Sequence, residues 1–447
     1  MEKTLPPGPP LPALVQAGLV WAAPLRYLLL CHRRYGDRFT VRVSGLGDIV
    51  YLTDRDDVRS VLRGDPAIFH AGEANVPIAE ILGARSVLVV DDKEHRRIRG
   101  MMLPAFHGDS VRRQVAEMVA ITTDEVARWP VGEPFPVLAR MQAITLEVIL
   151  RTVIGVHDEG RLAALRTALP RLVEVGSPME LLPPPRVLRN VGLWRRRKQN
   201  KIRAYALLRE EIARCRQDPA LASRSDAMAM LLRSVDDTGR PMPDDELIDQ
   251  LLTLLLAGHE TTATALSWTF ERLIRHPALL ERTAQAAAQG DDAWLDAVCK
   301  ESLRIRPVVY QIGRKLTKPV ELAGHHLPAG TIVAPYINLI HRDPAHYPDP
   351  EEFRPQRFLD QRLDTSVWLP VGGGVRRWLG ATCAQTEMRT VLREVLRRVE
   401  LTPTTAPDEP IRVRHVTLVP RRGTMVRIHR HLADVPTISS SSAFQKT

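Results

Sequence analysis

Cysteine is scarce in this chain: Cys31, Cys215, Cys299 and Cys383 are its four examples in 447 residues, with no C-x-x-C pair among them. So dispersed a set excludes a disulfide framework and points to a reducing, cytoplasmic setting. Aromatic residues make up only 5% of the chain, which leaves few π faces for stacking on bases or for steadying a carbocation. Long apolar runs are missing too. The N-terminal stretch LPPGPPLPALVQAGLVWAAPLRYLLL is interrupted by Pro12, Pro24 and Arg26. It falls short of the ~20 continuous apolar residues of a spanning helix and lacks the basic start and cleavage site of a signal peptide. No transmembrane span is expected, and contact with a membrane is at most peripheral. No repeat of solenoid or propeller length is visible.

What the chain does have is positive charge: 62 Lys and Arg against 52 Asp and Glu, a formal net charge of +10. The basic run WRRRKQNK (194–201) sits in a helical pattern without interleaved aromatics, so no nucleic-acid partner is expected. The segment DRFTVRVSGLGDIVYLTD (37–54) reads as two strands around a glycine turn. From about 76 to 305 the pattern is helical, broken at SPMELLPPPR (177–186). Short strands return over 318–340, and a last helix runs from about Leu379 to Val399. No linker divides these parts, so the fold class is mainly α with small β-sheets, one large domain over 1–431. The final residues, 432–447, read as a disordered tail.

Three local patterns carry chemistry. The long helix that starts at PDDELIDQ has acids in its first turn, good N-terminal chemistry. Its centre, AGHETT, places Glu260, Thr261 and Thr262 inside an apolar run, where propensity and burial disfavour them. Back-bonding of the threonine hydroxyls to the preceding turn is a purely structural reading of the same residues. In ESLR, Glu301 and Arg304 stand at i, i+3 and share a helix face. The loop LPVGGGVRRWLGATC (369–383) joins glycines and arginines to the start of the last helix; without the Lys-Ser/Thr of a P-loop it is not a nucleotide cradle.

In their order and spacing, AGHETT, ESLRIRP, FRPQRF (353–358) and GGGVRRWLG resemble the cytochrome P450 family over nearly the whole chain. The resemblance implies the P450 fold and a haem-dependent monooxygenase of a lipophilic small molecule. Glu301 and Arg304 match its E-x-x-R, with Arg357 as the arginine that joins them in a structural lock. Glu260 and Thr261 match the acid–alcohol pair that delivers protons in oxygen activation. His95 and Arg99 match the haem-propionate binders, with Arg314 and Arg376 as further partners. An acidic ferredoxin-type electron donor is implied as well, and the basic last helix (Arg389, Arg393, Arg397, Arg398) is where it is expected to dock.

One position departs from the pattern. Where the family's loop reads F-x-x-G-x-R-x-C-x-G, this chain has Val371, Gly374, Arg376, Trp378 and Gly380. A thiolate pushes electron density toward oxygen, whereas an indole N–H only donates and has no lone pair for a metal. Cys383, five residues on, is turned by about 500° around the helix and faces elsewhere. The expectation is therefore haem without thiolate ligation, or no cofactor, with ordinary oxygen activation compromised. Two other functions stay open: a haem-independent, terpene cyclase-like enzyme acting on an isoprenoid diphosphate, and a non-catalytic helper of a partner enzyme.

Overall fold

The computed structural model describes residues 5–173, 192–359, 364–414 and 417–432. The proline cluster at 177–186 and the tail beyond 432 lie outside them. The helices used below are α1 (Ala13–Ala22), α2 (Pro24–Tyr35), α3 (Arg55–Arg63), α4 (Asp92–Met102), α5 (Gly108–Val126), α6 (Val137–Val148), α7 (Asp244–Leu255), α8 (Thr261–Arg275), α9 (Asp292–Ile305) and α10 (Ala381–Arg398). The strands are β1 (Arg38–Val43), β2 (Gly47–Leu52), β3 (Phe69–His70), β4 (Arg314–Leu316), β5 (Val320–Leu322), β6 (His325–Leu327), β7 (Ile332–Pro335), β8 (Ile411–Arg414) and β9 (Thr417–Pro420).

At the starts of α3 and α9 a side chain satisfies free N–H groups. Asp54 accepts from the Asp56 and Asp57 amides at the head of α3, and Asp291 accepts from Trp294 at the head of α9. Ahead of α7, Pro243 is followed by Asp244, Asp245 and Glu246 in the first turn. β1 and β2 form the expected hairpin; β2 runs parallel to β7, and β4 and β3 complete a sheet ordered β1-β2-β7-β4-β3. β5 and β6 form a separate hairpin, as do β8 and β9.

The centre of the molecule is α8. Every residue from Thr262 to Ile274 is buried, and fully enclosed Trp268 donates its indole N–H to the Leu418 carbonyl at 2.8 Å. The sequence suggests one continuous helix from Pro243 to His276; the structure divides it. A π-helical segment, Leu256–Glu260, separates α7 from α8. The wider turn is held by Thr145 of α6, whose hydroxyl lies 2.9 Å from His259 Nδ1 and donates to the His259 carbonyl at 3.1 Å. Such π segments often mark functional positions. This one forms part of the wall of a deep, mostly apolar cavity.

Candidate functional site

The cavity, about 560 Å³, lies between α4, the π segment, β4 and the loop leading into α10, and is lined mostly by apolar side chains. That is the size and character of a site for a lipophilic small molecule. Several charged groups share its wall, and their partners reveal what each is set up to do.

His95 and Arg99, one turn apart on α4, both reach the cavity. Arg99 is half-buried and has no hydrogen-bond or ion-pair partner among the described residues; burial pulls its pKa down. Buried Arg314 donates only to its neighbour's carbonyl, Gly313 O, at 2.8 Å. Burial first, then the nearby Arg376, depresses it to about 10. His95 is pushed down to about 4 by burial, with Arg376 and Arg99 adding to the effect. Arg376 differs from these three: it is anchored by Asp91 and donates to Val90 O at 2.8 Å. Asp91 in turn accepts from the Gly72 and Glu73 amides, both at 2.9 Å. A buried and a half-buried arginine without a carboxylate are costly, and they fit an anion with more than one negative group at this edge.

The loop beneath the cavity depends on glycine. Gly374 has φ +64°, and a Cβ there would sit 2.1 Å from the Leu62 carbonyl oxygen at the end of α3; only glycine lets the loop pass so close. The loop closes with Trp378 N donating to Val371 O at 3.0 Å. The indole folds back over Gly380, where a Cβ would meet three of its ring atoms at 3.0–3.3 Å. Trp378 lines the cavity and packs on the main core. Cys383 does not line it. Its thiol faces α5, with Sγ 3.9 Å from Gln114 Oε1, and burial drives it up to about 12. Neither residue fits a thiolate-ligated iron: one has no lone pair to give, and the other lies off the cavity wall with its thiol toward α5.

On the opposite wall Thr261 bonds back to the Ala257 carbonyl, as in the structural reading of this threonine. Glu260 is not simply solvated: Arg414 of β8 donates to its Oε1 at 2.7 Å, and both line the cavity. Sequence reasoning missed Arg414. A basic residue in the alternating strand IRVR carries no signal that its partner lies 154 positions away.

Glu301 and Arg304 are completely buried and joined by two hydrogen bonds, at 2.7 and 2.8 Å. Arg304 also donates to the carbonyls of His341, Pro350 and Glu352. Arg357 lies 3.5 Å from Glu301 and donates to Asp349 O at 2.8 Å. The acids of α7 do not reach the cavity: Asp244 pairs with Arg216, Asp245 with Arg209 and Glu246 with Arg97. On α10, part of the expected basic face is paired with acids. Arg389 and Arg393 share Asp292, Arg398 pairs with Glu394 and Arg397 is buried. Acids contributed by α9 and by α10 itself neutralise much of that surface.

Comparison with known proteins agrees with the fold. The family model "Cytochrome P450" matches residues 5–427. A putative cytochrome P450 135B1 of Mycobacterium tuberculosis and Mycobacterium bovis is 51% identical, over 98% of this chain and 94% of that one. A putative cytochrome P450 135A1 of Mycobacterium tuberculosis is 38% identical, over 95% of both chains. Among solved structures, a cyanobacterial P450 with retinoic acid bound superposes with TM-score 0.83 at 24% identity, covering 96% of this chain and all of that one.

Proposed function

The chain belongs to the cytochrome P450 family, and on that footing we propose that it binds a lipophilic small molecule in this cavity beside a haem-type group held by its edge, without thiolate-driven oxygen activation. When bound, haem supplies redox chemistry that in this family depends on electron density from the proximal thiolate. His95, Arg99 and Arg314 would hold its carboxylates, with Arg376 kept in place by Asp91. The apolar wall excludes water from the bound molecule and orients it. Glu260, tied to Arg414, keeps a carboxylate at the wall facing the ligand.

The single observation that carries this reading is Trp378. It occupies the loop position of the ligand, lies over Gly380 and offers nothing to a metal, while the edge cations around it are kept. The haem-independent diphosphate alternative gains no support from α7, whose first-turn acids are committed to arginines outside the cavity. The test is to load the full chain with haem and record the reduced, carbon-monoxide-treated spectrum of wild type and Trp378→Cys. Haem uptake without the thiolate signature in wild type, and its appearance in the variant, supports the proposal. Failure of wild type to take up haem contradicts the edge-bound reading.

A further inference from the structure

Among the described residues Glu260 is the only acid on the cavity wall, and Arg414 is the cation there that meets it. Their bond uses one edge of each group. Arg414 Nη1 donates to Glu260 Oε1 at 2.7 Å, while Arg414 Nε, Arg414 Nη2 and Glu260 Oε2 have no hydrogen-bond partner among the described residues. None of these three atoms is enclosed by the protein. The neighbouring wall adds no further charge: the π segment otherwise contributes Leu256 and Ala257, and the β8–β9 hairpin Val413 and Thr417. His259, which also feels Arg414, is buried against Thr145 and stays neutral, since burial first and then Arg414 push it down to about 4. The pair is thus a neutral unit set in a mostly apolar wall, with spare donors on one member and a spare acceptor on the other.

Resting on the reading of this cavity as the site of a lipophilic molecule, we propose that the Glu260–Arg414 pair selects that molecule's polar group, and that the group is an uncharged hydroxyl. A hydroxyl carries one O–H donor and lone pairs that accept. Its O–H donates to Glu260 Oε2 while its oxygen accepts from Arg414, so both members are used and no net charge enters. A carboxylate would face Glu260, and an ammonium group would face Arg414. Either ion leaves one charge unbalanced in an apolar cavity, which is costly. An ether accepts from Arg414 but has nothing to donate, and leaves Glu260 Oε2 unanswered. The selection does not depend on what ligates the cofactor.

The test is isothermal titration calorimetry of the full chain at pH 7 with decanol, decyl methyl ether, decanoic acid and decyltrimethylammonium. These share one alkyl chain, and the quaternary ammonium has no lone pair to give a metal. Affinities for the two ions are read relative to decanol within each protein, so that Arg99 and Arg314, present throughout, cancel. Wild type should bind decanol about 10-fold more tightly than the ether. Glu260→Gln leaves Arg414 uncompensated and should shift the ratio about 10-fold toward decanoic acid; Arg414→Gln should shift it about as far toward decyltrimethylammonium. The double variant is neutral again and should return both ratios to near wild type. Ratios that neither substitution moves, or that both move in the same direction, overturn the proposal, and so does equal binding of decanol and its ether. In those cases the probes still bind and the lipophilic reading of the cavity stands. Wild type that binds none of the four removes that reading and the proposal together.

Discussion

Arg414 reaches across the cavity wall to Glu260, its guanidinium 2.7 Å from the carboxylate, and ties the β8–β9 hairpin to the π segment before α8. The pair is partly open to the cavity, with side chains 25% and 15% exposed. Arg414→Gln should therefore cost about 1–2 kcal/mol, less than the loss of a fully enclosed pair. Urea unfolding of Arg414→Gln, Glu260→Gln and the double variant checks this. The two losses should fail to add, because either substitution already breaks the same contact.

Glu301 and Arg304 make the stronger case. With no exposure on either side chain, Glu301→Ala leaves a buried guanidinium without its counter-charge. A loss of about 3–5 kcal/mol is expected, enough to lower soluble yield sharply. Comparing the urea midpoint with that of Arg357→Ala, whose contact to Glu301 is longer at 3.5 Å, should show a clearly smaller effect for the latter.

These two pairs differ in how far the sequence revealed them. Glu301 and Arg304 are three residues apart on one helix, so spacing alone puts them on a shared face. Glu260 looked out of place in its apolar run, but nothing local identified Arg414 as its partner or the π turn that carries it. The same limit explains α10: its arginines are a visible run, whereas Asp292, which neutralises two of them, comes from α9. The departure at Trp378 was legible because a motif in register fixes which residue stands there. Where its indole lies, over Gly380, depends on the fold of the loop.

Acid should destabilise the protein through its buried histidines. His259 is depressed to about 4 and His341 to about 3, both chiefly by burial; Arg414 adds to the first and Arg304 to the second. The unfolded chain takes up these protons near pH 6.5, before the folded chain does. Stability is therefore complete above about pH 6.5 and lost as the pH falls toward 4. The upper bound is on the order of 3 kcal/mol for His259 and 5 kcal/mol for His341. Thermal unfolding followed from pH 7.5 to 4 should show this decline, and His259→Gln should make it shallower.

Cys383 is expected to be spectroscopically silent. Because its thiol faces Gln114 and does not line the cavity, Cys383→Ser should leave the absorbance of the haem-loaded protein unchanged. Its effect on the urea midpoint should be that of altering a small half-buried side chain, about 1 kcal/mol. A changed spectrum in this variant would point to sulfur from α10 reaching the metal.

X-ray absorption at the iron edge of the haem-loaded full chain tests most directly whether Trp378 has removed the sulfur donor. Wild type should show a first shell of light atoms only, and Trp378→Cys should add one sulfur scatterer. A sulfur neighbour in wild type would contradict the account at its centre, and Cys383→Ser would then show whether that residue supplies it.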